Sequence, residues 1–158
     1  SCSIMELLDE LITENLLYNA TNRPSEMEKY KLVDFIALNL GEKAENRDFI
    51  RRAIDYATKD RLSFGGFAVV VKVENEIVGA AIVNQTGIEG YMAENVLVYI
   101  AVASDYRTKG IAKSMIEHVL RYAKGDVALH LKGDSSLSAV CEKFGFKKSI
   151  VEMRLERK

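Results

Sequence analysis

The sequence predicts a single α/β domain, residues 1–158, in which a mixed sheet is flanked by helices. Three observations lead to this prediction. Apolar side chains in the first 60 residues follow a helical period. The pattern changes to β-branched runs after Phe64-Gly65-Gly66, and strand-like runs then alternate with amphipathic stretches. Such an order is typical of a sheet covered by helices around one core.

The first third, residues 1–60, is predicted to be helical. A first apolar stripe recurs at steps of three and four residues: Ile4, Leu7, Leu8, Leu11, Ile12 and Leu16. Ser25 and Glu28 form a capping-box pattern for a second helix, which is expected to end at Gly41. A third helix is expected after Asn46, with its inward side formed by Phe49, Ile50, Ala53, Ile54 and Ala57.

The remaining elements are predicted from runs of apolar residues. Residues 67–73 and 77–83 read as a hairpin, and residues 95–102 as a strand whose continuous apolar character indicates a central position. A helix follows over residues 111–123. Further on we expect a strand at 127–132, a short helix at 135–143 and a last strand at 146–155, with Val151, Met153 and Leu155 on one face.

Composition excludes several classes of protein. Two cysteines, Cys2 and Cys141, and two histidines, His118 and His130, are too few for a usual zinc site or a disulfide framework, so no metal is expected. Apolar runs are too short for a membrane span, and the expectation is a soluble, cytoplasmic domain without a signal peptide. The net charge of −1 argues against nucleic-acid binding.

One segment combines positive charge with a strand–turn–helix pattern. Residues 105–132 contain six basic and three acidic residues, and the turn Arg107-Thr108-Lys109-Gly110-Ile111-Ala112 links the strand at 95–102 to a helix. A helix N-terminus presents unpaired N–H groups and can receive a phosphate, and Gly110 would let that phosphate approach the backbone. Lys109 and Lys113 would add charge. Alternatively, Gly110 only permits a tight turn.

The segment from Val102 to Ala112 resembles the acetyl-CoA-binding core of the GNAT acetyltransferases. The resemblance continues through residues 129–134 and 142–146, and in all it covers about residues 65–147, the expected acetyl-CoA-binding core. It implies a mostly antiparallel sheet. It also implies that Ile100, Ala101 and Val102 bind the pantetheine arm and that the pyrophosphate lies on the turn. The residues that the resemblance assigns to the coenzyme are Ile100, Ala101, Val102, Arg107, Thr108, Lys109, Gly110, Ile111, Ala112, Lys113 and Asp134.

The sequence departs from the family pattern at three places. Asp134 and Cys141 stand where the family often has Asn and Tyr. Only Cys2–Met5 is expected to supply the first strand, and twelve residues follow Gly145-Phe146. The acceptor pocket is therefore expected to be built differently or to be completed by a partner chain, as in a homodimer.

Two functions remain open at this stage. The first is an N-acetyltransferase that moves the acetyl group of acetyl-CoA to a primary amine of a small molecule or peptide by direct attack. Glu94, at the start of a strand, is its candidate base, and Cys141 marks the position of the family's Tyr. The second is a non-catalytic acyl-CoA-binding module. Dinucleotide binding is not expected, because no G-x-G-x-x-G pattern is present.

Overall fold

The computed structural model describes residues 13–40, 46–107, 110–131 and 136–157. The described strands are β1 (Thr13–Tyr18), β2 (Gly66–Val73), β3 (Glu76–Gln85), β4 (Asn95–Val102) and β5 (Val127–Leu129). The described α-helices are α1 (Glu26–Leu40), α2 (Arg47–Ala57), α3 (Ile111–Tyr122) and α4 (Ser136–Lys143). Among these residues no helix is both long and apolar enough to cross a membrane.

The strands form one sheet in the order β1-β2-β3-β4-β5. The first four strands are antiparallel neighbours, whereas β5 runs parallel to β4. The parallel pair follows from the connection, because α3 crosses over between the end of β4 and the start of β5. The predicted α/β class and the mostly antiparallel mixed sheet are confirmed.

The two faces of the sheet carry separate apolar cores. Helices α1 and α2 cover one face, where the most deeply buried side chains include Leu32, Ile36, Ile50, Ile54 and Ile82. Helix α3 covers the other face, with Met115, Val119, Val69, Val83 and Leu97. Because alternate residues of a strand point to opposite faces, apolar runs such as residues 67–71 can serve both cores.

Helix α1 begins with the predicted capping box. The Ser25 N–H donates to Glu28 Oε1 at 2.9 Å, and the Glu28 N–H donates to Ser25 Oγ at 3.1 Å. Further along α1, the buried Nζ of Lys29 lies 2.7 Å from Asp55 and 2.5 Å from Asp60, so it ties α1 to α2 and the loop after it. Burial opposes the charge of Lys29, but the two carboxylates outweigh it and raise its pKa.

The prediction for the start of the chain was wrong where the structure tests it. Leu16 lies in β1, opposite Val70, and not on a helix. Leu16 packs on the α1 and α2 side and Leu17 on the α3 side, so the period is that of a strand. The first described strand is Thr13–Tyr18. The segment Cys2–Met5, which was expected to supply the first strand, lies outside the described residues, as do Ile4, Leu7, Leu8, Leu11 and Ile12.

Two other element predictions need small corrections. Phe49 is 54% exposed and stacks beneath the Arg52 guanidinium, while the rest of the predicted inward stripe of α2 is buried. Strand β4 is the fourth of five, and β3 holds the central position. The apolar character of β4 reflects a place between two strands with side chains packed on both faces of the sheet, although Val98 is partly exposed.

The predicted last strand, residues 146–155, is absent: the structure describes residues 146–157 without a helix or strand. Val151, Met153 and Leu155 are 76–93% exposed. Their alternation would give a strand one apolar face, but a strand also needs a hydrogen-bonded neighbour. The neighbouring edge strand, β5, ends at Leu129, three residues before its predicted end, so it offers little length for pairing.

Candidate functional site

The two edges of β4 differ over the second half of the strand. On one edge β4 pairs with β3 along its whole length, from Asn95 to Val102. On the other edge it pairs with β5 only as far as Leu97, which lies opposite Leu129. No described strand adjoins that edge from residue 98 to residue 102. We call this open edge of β4, residues 98–102, together with the space beside it, the wedge.

A β-bulge stands where the wedge begins. Tyr99 lies opposite Ile82 and Leu97 lies opposite Val83, so Val98 is an extra residue in β4. The bulge changes the phase of the strand: Leu97 and Ile100 pack on the α3 side, whereas Tyr99 packs toward α1 and α2. The residues beyond Val98 thus present their backbone differently from an unbroken strand.

Backbone N–H groups along β4 alternate between its two edges, and this alternation determines which of them point into the wedge. The Ala103 N–H donates to Val78 O of β3 at 2.9 Å. Because successive residues of a strand direct their N–H groups to opposite edges, Ile100 and Val102 direct theirs to the open edge. Ala101 directs its own toward β3, and its small side chain is buried beneath the helices. The predicted backbone donors of β4 are therefore Ile100 and Val102.

After β4 the chain forms a short 3-10 helix, Ser104–Tyr106, and Gly110 then caps the start of α3. Gly110 has φ +78°, a left-handed conformation that glycine adopts without strain, and its carbonyl accepts the Ser114 N–H at 3.0 Å. The N–H groups of Ile111, Ala112 and Lys113 come before this first intrahelical bond and have no partner within the helix. N–H groups of this kind can receive an anion, and the exposed Lys113 lies beside them.

Arg107 has a second use that sequence reasoning missed. Its Nη2 donates to Asn39 O at 2.9 Å and its Nε to Val102 O at 3.3 Å. Asn39 lies in the last turn of α1, where carbonyls lack intrahelical partners and a cation is favourable. Arg107 therefore fastens α1 to the end of β4. Thr108, Lys109 and Asp134, which were also assigned to the coenzyme, lie outside the described residues.

Glu94, the candidate base, is engaged with the backbone. Its Oε2 accepts the Asp126 N–H at 2.8 Å, and this bond, helped by the N–H groups of Glu94 and Gly90, holds the pKa of Glu94 below its ordinary value. A carboxylate with a lowered pKa is a weaker base. Its catalytic role stays a prediction, and the geometry gives it a structural partner.

Cys141, at the position of the family's Tyr, is buried in α4. Burial raises the pKa of its thiol, so less of the reactive thiolate is present at neutral pH. Both properties suit a buried packing role better than that of a nucleophile. The described residues also hold no group of three His, Cys, Asp or Glu side chains placed to bind a metal ion.

Asn95 is a site residue that the sequence did not reveal. It is fully buried, and its Nδ2 donates to Lys124 O at 2.7 Å and to Asp126 O at 3.2 Å. A polar residue at the head of an apolar run was the available signal, since Asn is depleted in strands. The run was instead interpreted as uniformly apolar.

A groove of about 450 Å³ is lined by α1, by residues of β1 and β2 and by the turn between β2 and β3. Its charged side chains are of both signs: Glu28, Lys31, Asp34, Lys72 and Glu76. This mixture favours no single class of ligand.

Comparisons with known proteins agree with this geometry. The family described as "Acetyltransferase (GNAT) domain" matches residues 65–148, just over half of the chain, whereas no curated protein matches it. Similar solved structures include the aminoglycoside N-acetyltransferase AAC(6')-Iy in complex with CoA, which is 14% identical with a TM-score of 0.66 over 94% of this chain and 96% of that one.

Two further structures are similar in fold. A ribosomal-protein-alanine N-acetyltransferase from Brucella melitensis biovar Abortus is 16% identical, with a TM-score of 0.62 over 93% of this chain and all of that one. A GNAT-family acetyltransferase from Bacillus cereus is 19% identical, with a TM-score of 0.63 over 92% and 89% of the two chains. The match over residues 65–148 shows that this chain belongs to the GNAT acetyltransferase family.

Proposed function

We propose that this protein transfers an acetyl group from acetyl-CoA to a primary amine. The observation that carries the proposal is the open edge of β4, which begins at the Val98 bulge, together with the N-terminus of α3 at Gly110, eight residues beyond the end of the strand. A ligand with an extended amide-containing arm and a pyrophosphate fits this succession. Membership of an acetyltransferase family supports acetyl-CoA as that ligand.

Each part of the coenzyme has a matching part of the chain in this proposal. The amides of the pantetheine arm bond to the backbone of Ile100 and Val102, as an added strand would. The pyrophosphate lies against the N–H groups of residues 110–113, where the partial positive charge of α3 and the Lys113 ammonium group favour it. Lys109 and Arg107 add positive charge to the same turn.

The chemistry then requires little acid catalysis. The acceptor amine attacks the thioester carbonyl in a ternary complex, and a backbone N–H near Val102 stabilises the developing oxyanion. The C–S bond breaks, and the thiolate leaves without difficulty because a thiol has a pKa of about 8.5. An alkyl amine of pKa near 10.4 is neutral only about once in 2,500 molecules at pH 7, so its proton must pass to water or a carboxylate.

The acceptor is proposed only as a class, a primary amine on a small molecule or peptide. Similar structures include enzymes named for aminoglycosides and for a ribosomal-protein alanine, but at 14–16% identity they share the fold alone. One observation favours the alternative, a non-catalytic acyl-CoA-binding module: Cys141 is buried and Glu94 is engaged with a backbone N–H. Neither is an evident proton carrier.

Turnover with a panel of amines separates the two functions. Acetyl-CoA is incubated with the protein and each amine, and the released thiol is measured, while calorimetry follows acetyl-CoA binding. An enzyme releases thiol with at least one amine, and a module binds acetyl-CoA without release. NAD serves as the control, since it should not bind. Failure of acetyl-CoA to bind would overturn both functions.

A further inference from the structure

Two adjacent residues at the start of β4 hold the turn that leads into β5. The Glu94 carboxylate accepts the Asp126 N–H at 2.8 Å. Asn95 donates from its backbone N–H to Asp126 O at 3.0 Å and from its side chain to both Lys124 O and Asp126 O. We call these bonds, from Glu94 and Asn95 to residues 124–126, the β4–β5 clamp.

The clamp lies at the closed end of the wedge, where few other bonds join the strands. Only three residue pairs connect β4 to β5, from Asn95–Val127 to Leu97–Leu129. The turn itself fits closely: Gly125 has φ +88°, and a Cβ built on it would stand 2.9 Å from the Glu94 carboxyl. The position of β5 relative to β4 therefore depends strongly on the clamp.

An amide side chain at position 95 is suited to holding residues 124–126 by hydrogen bonds. Burying an amide costs free energy unless its groups are paired, and the structure shows no partner for Oδ1 among the described residues. An apolar residue would avoid that cost. What the amide alone supplies is a pair of N–H donors aimed at two carbonyl oxygens, which Asp, of the same shape, would repel.

We propose that Glu94 and Asn95 are positioning residues, which fix the point where β4 and β5 separate and thereby set the width of the wedge that receives the pantetheine arm. The inference rests on the proposed function, because the wedge matters only if acetyl-CoA enters it. Neither residue touches the coenzyme in this proposal. They act through β5.

The distance between the clamp and the expected pyrophosphate site distinguishes a positioning role from a general loss of coenzyme binding. Asn95 and Val102 are seven residues apart along β4, about 23 Å at the usual rise of a strand. The turn at residues 107–112, where we propose that the pyrophosphate binds and which we call the phosphate turn, lies beyond Val102. Damage to the clamp should therefore change the wedge and leave the turn intact. Acetyl-CoA spans both regions, whereas its nucleotide part, adenosine 3′-phosphate 5′-diphosphate, occupies only the turn.

The test measures by calorimetry the Kd of acetyl-CoA and of that nucleotide for the wild type and for Glu94→Ala and Asn95→Asp. We expect each substitution to weaken acetyl-CoA binding about tenfold, equivalent to about 1.4 kcal/mol, with nucleotide binding changed less than about twofold. Should Asn95→Asp fail to fold, Glu94→Ala decides, because its carboxylate is only half-buried. Equal weakening of both ligands, or no weakening of either, overturns the inference.

Two further variants sharpen the result. Glu94→Gln keeps a carbonyl oxygen for the Asp126 N–H, so it should restore acetyl-CoA binding to near the wild-type value. A drop in its kcat with unchanged binding would instead make Glu94 the base and overturn its assignment here. Glu28→Ala is the matched control: it too deletes a carboxylate that accepts a backbone N–H, at 2.9 Å, but far along the chain in α1, and it should leave both Kd values unchanged.

A failed inference and a failed function give different results. If the wild type binds the nucleotide and acetyl-CoA, the proposed coenzyme site stands whatever the clamp variants do. If the wild type binds neither, the proposed function is wrong, and with it the role of the clamp.

Discussion

The two halves of β4 differ in their neighbours on one edge of the strand. Residues 95–97, which we call the closed half, are bordered by β3 on one edge and by β5 on the other, and the β4–β5 clamp lies at this end. Residues 98–102, which we call the open half, have β3 as their only neighbour among the described strands. Apart from Asn95 both halves are apolar, so the difference in their neighbours comes from where β5 stops. The closed half has a neighbouring strand on both edges, whereas one edge of the open half has no partner among the described strands.

The largest effect is expected at the end of the open half. Gly110→Glu should abolish acetyl-CoA binding, because it places a side chain and a negative charge where the pyrophosphate is expected. For the wild type, acetyl-CoA at about 100 times its Kd should add roughly 2.7 kcal/mol of stability and raise Tm by several degrees. Thermal melts with and without acetyl-CoA measure this shift, which the variant should lack.

Gly145→Glu is the control for backbone strain. Gly145 also has a left-handed φ, +96°, and a Cβ there would meet nothing within 4 Å. This variant should lose some stability and keep the full shift. A normal acetyl-CoA shift in Gly110→Glu would remove the phosphate turn from the site.

The next effect concerns charge at the open half. Replacing Lys109 and Lys113 with Ala should weaken acetyl-CoA binding by roughly tenfold at low salt and by less at high salt, because screening reduces the contribution of exposed charges. Calorimetry at two salt concentrations measures this difference. Lys147 and Lys148, both exposed, are the matched control, since their replacement by Ala changes the net charge equally. If both double variants lost the same acetyl-CoA affinity, the loss would come from overall charge and not from the position of Lys109 and Lys113.

A smaller effect is expected at the closed half when the pH is lowered. The Asp126 N–H lowers the pKa of Glu94 from its ordinary 4.5, so the native state binds this proton less readily than the unfolded chain. The stabilisation is fully present above about pH 4.5 and is lost as the pH falls through the native pKa. Urea unfolding of the wild type and Glu94→Gln between pH 7 and pH 3 measures it. Their stabilities should converge at low pH; a constant difference would contradict the prediction.

The smallest effect is expected at Cys141, in neither half of β4. Cys141→Ala removes one buried sulfur and should cost about 1 kcal/mol of stability, while kcat stays within about threefold of the wild type. Thiol-release assays and thermal melts measure both. An acetylated Cys141 detected by mass spectrometry, or complete loss of turnover, would make it a covalent nucleophile.

Local patterns were predicted well where neighbouring residues suffice to define them. The Ser25–Glu28 capping box needs only four residues, and the hairpin of β2 and β3 needs two β-branched runs around a polar turn. The helix after Gly110 was predicted from its apolar period. Predictions failed where a residue distant in sequence decides the secondary structure. Leu16 lies in a strand because β2 pairs with it, and residues 146–155 form no strand because no described strand pairs with them.

The sequence by itself determined the α/β class, the succession of most helices and strands, and the strand–turn–helix segment that resembles an acetyl-CoA site. These features depend on side-chain period, on caps and on the conformational freedom of Gly110, all of which are local. Only the tertiary structure decided that β5 stops at Leu129, that Val98 bulges and that Asn95 holds the adjoining turn. The pairing of β4 with β5 joins residues about 30 positions apart, such as Leu97 and Leu129, and no spacing within one strand shows how far its neighbour extends.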